Sequence, residues 1–130
     1  MTERPLSPHL SVYRMSRYTL LTSIVNRATG LVLSVGLILL VYWLVAVASG
    51  PAAYSRARTV LSLGVLKAVY VILLATFSYH LFAGIRHLIW DTGHGLERAQ
   101  AKRSATLVVI CAILLFVGLA WWALHAGRAP

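Results

Sequence analysis

The chain has 130 residues, is 59% hydrophobic, and carries twelve Lys and Arg against three acidic residues (Glu3, Asp91 and Glu97), a formal charge of +9. An apolar share above the ~45–50% of ordinary globular domains excludes a water-soluble domain. The cations flank apolar runs instead of gathering on one polar face, which excludes nucleic acid as the partner and points to a membrane.

Residues 1–21 hold Arg4, Pro5, Pro8, Arg14 and Arg17 and are expected to form a surface segment on the cytoplasmic side. No charged residue occurs from 28 to 55, so a first transmembrane helix is predicted near 22–48. Ala46-Val47-Ala48 resembles a signal-peptide cleavage site, but the apolar run before it exceeds the ~7–15 residues of a signal core, so a retained helix is expected. Gly50 and Pro51 mark a turn. A second helix is predicted near 59–90, with Lys67 about two turns inside it, its long stem reaching the headgroups. Gly93 and Gly95 end that helix, and a third is predicted near 104–126, interrupted only by His125. The expectation is an all-α membrane protein, one unit over residues 1–130 with three transmembrane helices and no internal repeat.

Orientation follows from the cations. Arg4, Arg14, Arg17 and Arg27 precede or open the first span, and Arg86, Arg98, Lys102 and Arg103 close the second and fill the next loop. Arg56, Arg58 and Arg128 lie on the other side. Positive charge favours the inside, so the N-terminus is expected in the cytoplasm or matrix and the C-terminus outside.

That topology brings two polar groups to one membrane face. Ser23, Arg27 and Gly30 stand at i, i+4 and i+7 with Asn26 at i+3, on one helical stripe. On the second helix His80, Gly84, His87 and Asp91 follow similar spacing. His80 lies within an apolar run, where an ionisable side chain is costly and a functional role is the first explanation to test. A neutral imidazole can bind haem iron, and Gly84 one turn away would let a flat ring approach the backbone. His87 lies ~10.5 Å further along the axis, at 1.5 Å per residue, a distance that suits the carboxylate edge of the same haem. The bland readings are a His80 hydrogen-bonded between helices, a Ser23 bonded within its own helix, an Arg27 anchored at the headgroups, an Arg86 that sets topology, and an Asp91 paired with Arg86 or the basic loop.

Three motifs carry a resemblance to a known family: Arg4-Pro-Leu-Ser-Pro-His-Leu-Ser-Val-Tyr13, Ser23-Ile-Val-Asn-Arg-Ala-Thr-Gly30, and Tyr79-His80 through Gly84-Ile-Arg-His87 to Asp91. In this order and spacing they resemble the cytochrome b membrane-anchor subunit of succinate dehydrogenase (succinate:quinone oxidoreductase). The resemblance implies that His80 is an axial ligand to haem b and that a histidine of a second anchor subunit supplies the other. It implies a quinone-binding pair in Ser23 and Arg27, with Arg27 and His87 close to a haem propionate and Asp91 near the quinone pocket; Asn26 and Arg86 stand where they could join that haem environment, and by their chemistry His87 and Asp91 are the candidates for proton delivery. Iron–sulfur and flavoprotein subunits would pass electrons through this station to ubiquinone, in a bacterial cytoplasmic or mitochondrial inner membrane. This chain would hold no succinate-oxidising site, and no phosphate loop, dinucleotide fingerprint or cysteine cluster stands in it.

Asn26 departs from the pattern, since many members carry histidine there. Its amide gives only a neutral hydrogen bond, so a lower haem potential than in relatives is expected. The anchor of a fumarate reductase and a haem-free quinone-binding scaffold remain open alternatives. A small transporter ranks below them, because no carboxylate lies mid-span. Trp90 is expected in an interfacial belt or at the quinone pocket, and the lone Cys111 is expected to be inert.

Overall fold

The computed structural model describes residues 17–126, with side chains from Leu20 onward. Its elements are α1 (Arg17–Ala48), α2 (Pro51–Leu61), α3 (Gly64–Asp91) and α4 (Arg98–Ala126). Three segments are long and apolar enough to cross a membrane: Leu20–Ala48, Gly64–Asp91 and Arg98–Ala126. Such a segment must satisfy its own backbone hydrogen bonds, and the α-helix does so without a partner.

The first and last of the long helices outrun the apolar runs that announced them. α1 begins at Arg17 where 22 was expected, and α4 at Arg98 where 104 was expected. Hydropathy marks only the part that prefers hydrocarbon; hydrogen bonding continues into the polar margin. The expected surface segment otherwise falls on residues 1–16, outside the described residues.

The second span differs more. The predicted helix near 59–90 is divided: residues 59–61 close α2, and α3 starts at Gly64. Pro51 occupies the first turn of α2, where its missing N–H costs nothing, after Gly50 at φ 94°. Ser62 caps α2 in a helical conformation, and Leu63 (φ −57°, ψ 140°) turns the backbone out before α3. The Tyr70 hydroxyl reaches back to the Leu61 carbonyl (3.0 Å), satisfying an acceptor that the break leaves open. Arg56 and Arg58 therefore sit on a separate helix, and Lys67 lies in the first turn of α3 instead of two turns inside a span. Its stem needs no long reach to polar surroundings.

Central in the packing, α3 lies most extensively against α4 and next against α1; α1 also carries α2 and touches α4 only slightly. The buried apolar residues are small: Ala46, Ala57, Ala83, Ala105, Val108 and Ala112. Ser78 is wholly buried and returns its hydroxyl to the Leu74 carbonyl at 2.8 Å. Small side chains let helix backbones approach in a medium where apolar burial gives little drive. The large apolar side chains, such as Leu31, Val35, Ile38, Leu88, Leu114 and Trp122, face outward. That outward surface suits lipid and other membrane helices, not water.

Candidate functional site

α1 and α3 run antiparallel. Thr29 meets His80, and seven residues further along α1, Gly36 meets Leu73, seven residues back along α3. Ser23 therefore stands at the level of Arg86 and His87. Two groups about sixty residues apart in sequence share one end of the helix pair.

His80 occupies the middle of this interface. Its half-buried imidazole lies over Gly30, where an added Cβ would stand 3.2 Å from Cε1. Thr29 Oγ1 is 3.0 Å from His80 Nδ1 and donates to the Asn26 carbonyl at 2.9 Å. The glycine beneath the ring is thus on the opposite helix; at Gly84 a Cβ would meet nothing within 4 Å among the described residues.

Beside His80 opens a cleft of about 540 Å³, lined by Gly30, Leu33, Gly36, Leu37, Leu73, Phe77 and His80 among others. Its size falls in the ~300–1,000 Å³ range of ligand pockets. Glycines at positions 30 and 36 form part of its α1 wall. A Cβ at Gly36 would lie 2.5 Å from Leu73 Cδ2, so the Leu73 side chain takes the space that this glycine leaves.

On the α1 stripe, Ser23 and Asn26 are half-buried and Arg27 is exposed. The Oδ1 atom of Asn26 is buried with no hydrogen-bond partner among the described residues. Orphaned buried acceptors are rare in native structures and call for an explanation.

On the other face, Arg86 turns to α4. Only 6% exposed, it donates from Nε to Ser104 Oγ (3.0 Å) and from Nη2 to the Ala101 carbonyl (3.0 Å). Its guanidinium lies 3.9 Å from the centroid of the Trp90 ring, whose Nε1 donates to the Gly95 carbonyl (3.1 Å). Trp90 therefore closes the α3–α4 side and meets His87 edge-on, with ring centroids 5.3 Å apart. Asp91 is exposed at the end of α3 while the Arg86 guanidinium is turned toward Ser104 and Ala101 on α4, and no bond between Asp91 and Arg86 is made.

The structure thus brings Ser23, Asn26 and His87 to one end of the bundle with His80 deeper. It assigns Arg86 to the α3–α4 contact. Thr29 was not singled out from sequence. The signal was present, because Thr29 and Gly30 stand three and four residues after Asn26 on the same stripe, but an exposed threonine bonded to its own helix would have looked the same.

The succinate dehydrogenase/fumarate reductase transmembrane subunit family matches the chain over residues 1–120. The chain is 41% identical over 119 residues to the succinate dehydrogenase cytochrome b556 subunit of Paracoccus denitrificans, covering 88% of this chain and 87% of that protein. It is 37% identical over 122 residues to the mitochondrial succinate dehydrogenase cytochrome b560 subunit of Sus scrofa (92% and 71%). It is also 36% identical over 114 residues to the cytochrome b556 subunit of Rickettsia prowazekii (87% of each).

Proposed function

The chain belongs to the succinate dehydrogenase/fumarate reductase transmembrane subunit family, and from that premise we propose that it binds haem b through His80 and forms part of a ubiquinone-reduction site. The second axial ligand comes from a histidine of a partner anchor subunit. Electrons arrive from an iron–sulfur subunit, which receives them from a flavoprotein subunit. The membrane is a bacterial cytoplasmic or mitochondrial inner one, with the N-terminus on the cytoplasmic or matrix side.

The observation that carries this reading is the placement of His80, half-buried at the wall of the α1–α3 cleft with its ring over Gly30. A haem suits these residues better than a bare ion. Among the described residues no three His, Cys, Asp or Glu side chains gather to share a metal, whereas a haem iron takes its equatorial ligands from the macrocycle and asks one imidazole of this chain. The orphaned Asn26 Oδ1 supports a site completed by groups from outside the chain.

When bound, the haem supplies a one-electron carrier beside the quinone. The chain's own residues do the rest. Arg27, His87 and the amide N–H of Asn26 would bind the carboxylates of the haem, and Arg86, held by α4, keeps that end of α3 in place. Ser23 donates a hydrogen bond to a quinone oxygen. Arg27 stabilises the negative charge that develops there when electrons arrive ahead of protons, which matters most in a poorly hydrated site. Asp91 has access to water and passes protons inward, with His87 as the relay.

The test is a dithionite-reduced minus oxidised optical spectrum of the detergent-solubilised complex, for wild type and His80→Leu with native partners. A narrow low-spin b-type band that shifts or vanishes in the variant is expected. A correctly assembled wild-type complex without haem would overturn the reading.

A further inference from the structure

We propose that Thr29 is a positioning residue for His80: its hydroxyl oxygen accepts a hydrogen bond from His80 Nδ1–H, which fixes one tautomer and leaves the Nε2 lone pair for iron. This rests on the haem reading above.

A threonine hydroxyl has a single hydrogen. That hydrogen is directed to the Asn26 carbonyl, an oxygen that can only accept, at 2.9 Å. The 3.0 Å contact between Oγ1 and His80 Nδ1 must then be made through an oxygen lone pair, so the hydrogen is on Nδ1. The other tautomer would set two lone pairs against each other unless the hydroxyl abandoned Asn26. A neutral imidazole protonated at Nδ1 carries a free lone pair at Nε2. That atom has no hydrogen-bond partner among the described residues.

Two further features hold the arrangement. Threonine in a helix is restricted at χ1, and bonding the i−3 carbonyl selects one of its two favoured rotamers, so the acceptor is aimed before any ligand arrives. Gly30 adds the steric half, because a Cβ would stand 3.2 Å from His80 Cε1 and 4.0 Å from Nε2. The chain Nδ1–H to Oγ1–H to Asn26 carbonyl has the form of the outer-sphere contact that orients metal-bound histidines and makes them stronger donors.

A stronger donor favours ferric over ferrous iron. Removing the acceptor therefore raises the haem potential. Thr29→Val keeps the branched shape without the oxygen, and Thr29→Ser keeps the oxygen. Potentiometric titration of the assembled complex is expected to show Thr29→Val shifted upward by about 59 mV, the one-electron equivalent of a tenfold change in relative affinity for the two oxidation states. Thr29→Ser is expected at the wild-type value. In a second arm, 15N spectra of histidine-labelled complex assembled under haem starvation read the tautomer directly, the His80 signal being identified by its loss in His80→Leu. Protonated Nδ1 is expected in wild type and Thr29→Ser, and a tautomer mixture in Thr29→Val.

A Thr29→Val complex with wild-type potential and wild-type tautomer would overturn the proposal, as would equal changes in the Val and Ser variants. A haem spectrum that survives unchanged in His80→Leu would sink the haem reading instead, while the nitrogen spectra still decide the role of Thr29.

Discussion

Arg86 on α3 and Ser104 on α4 are joined by a 3.0 Å hydrogen bond from Nε to Oγ, within the most extensive of the helix contacts. Ser104 Oγ also donates to the Ala101 carbonyl (3.1 Å), which accepts from Arg86 as well. A buried guanidinium is tolerated because carbonyl, hydroxyl and aromatic face surround it.

Ser104→Ala leaves one donor of a buried cation unmet, and a loss of about 1.5–3 kcal/mol is expected, as for hydrogen bonds to charged groups. Thermal unfolding of the purified complex should show the lowered midpoint. Arg86→Lys cannot reproduce the forked contact or the stacking on Trp90, so it should lower stability at least as far. If either variant melts like wild type, the clamp is not what holds α3 to α4.

Glycines 30, 36 and 84 should respond differently to alanine. At Gly36 the new methyl meets Leu73 at 2.5 Å, and overpacking of about 1–3 kcal/mol is expected. At Gly30 the methyl presses on His80 at 3.2 Å, so the haem band should shift or weaken with the complex still assembled. Gly84→Ala meets no group among the described residues and should leave α1–α3 packing intact. Visible spectra and melting curves of the three variants side by side provide the check.

For the quinone pair, Ser23→Ala and Arg27→Leu should impair quinone reduction while haem is largely retained. A loss of the order of 10²–10³ in kcat is expected for Arg27→Leu, by analogy with removal of a donor that stabilises developing negative charge. Haem content and succinate:quinone turnover measured on one preparation separate the roles. Haem loss in these variants equal to that in His80→Leu would contradict the division of labour.

Tyr70→Phe removes the hydroxyl that bonds the Leu61 carbonyl. A cost of about 0.5–1.5 kcal/mol is expected, because that carbonyl at the α2 end loses its partner. Hydrogen exchange should accelerate at the break between α2 and α3 before it does in either helix body. Uniform exchange through this region would argue that Tyr70 is not the tie.

Much of the fold was legible because hydrocarbon is an unforgiving solvent. Uncharged runs as long as residues 28–48 exceed a barrel strand and read as helices there, and the number of spans follows from counting them. The break at Ser62–Leu63 was hidden, since Thr59, Val60 and Leu61 suit either helix and no proline marks the boundary. The direction of Arg86 was hidden as well. A cation near a helix end looks the same from sequence whether it turns toward a ligand or toward a neighbouring helix.

The sequence by itself determined the membrane class, the three spans and the convergence of Ser23 and Asn26 with His87, because helical period and alternating topology leave little freedom. It also marked His80 as the residue to explain, through the cost of an ionisable group within an apolar run. Only the tertiary structure decided which helix each polar side chain faces. It placed His80 on Thr29 and Gly30, gave Arg86 to Ser104 and Ala101, and set the Leu73 side chain against Gly36. Those pairings depend on the rotation and register of helices about one another, which close packing of small residues sets and periodicity along a single chain does not reveal.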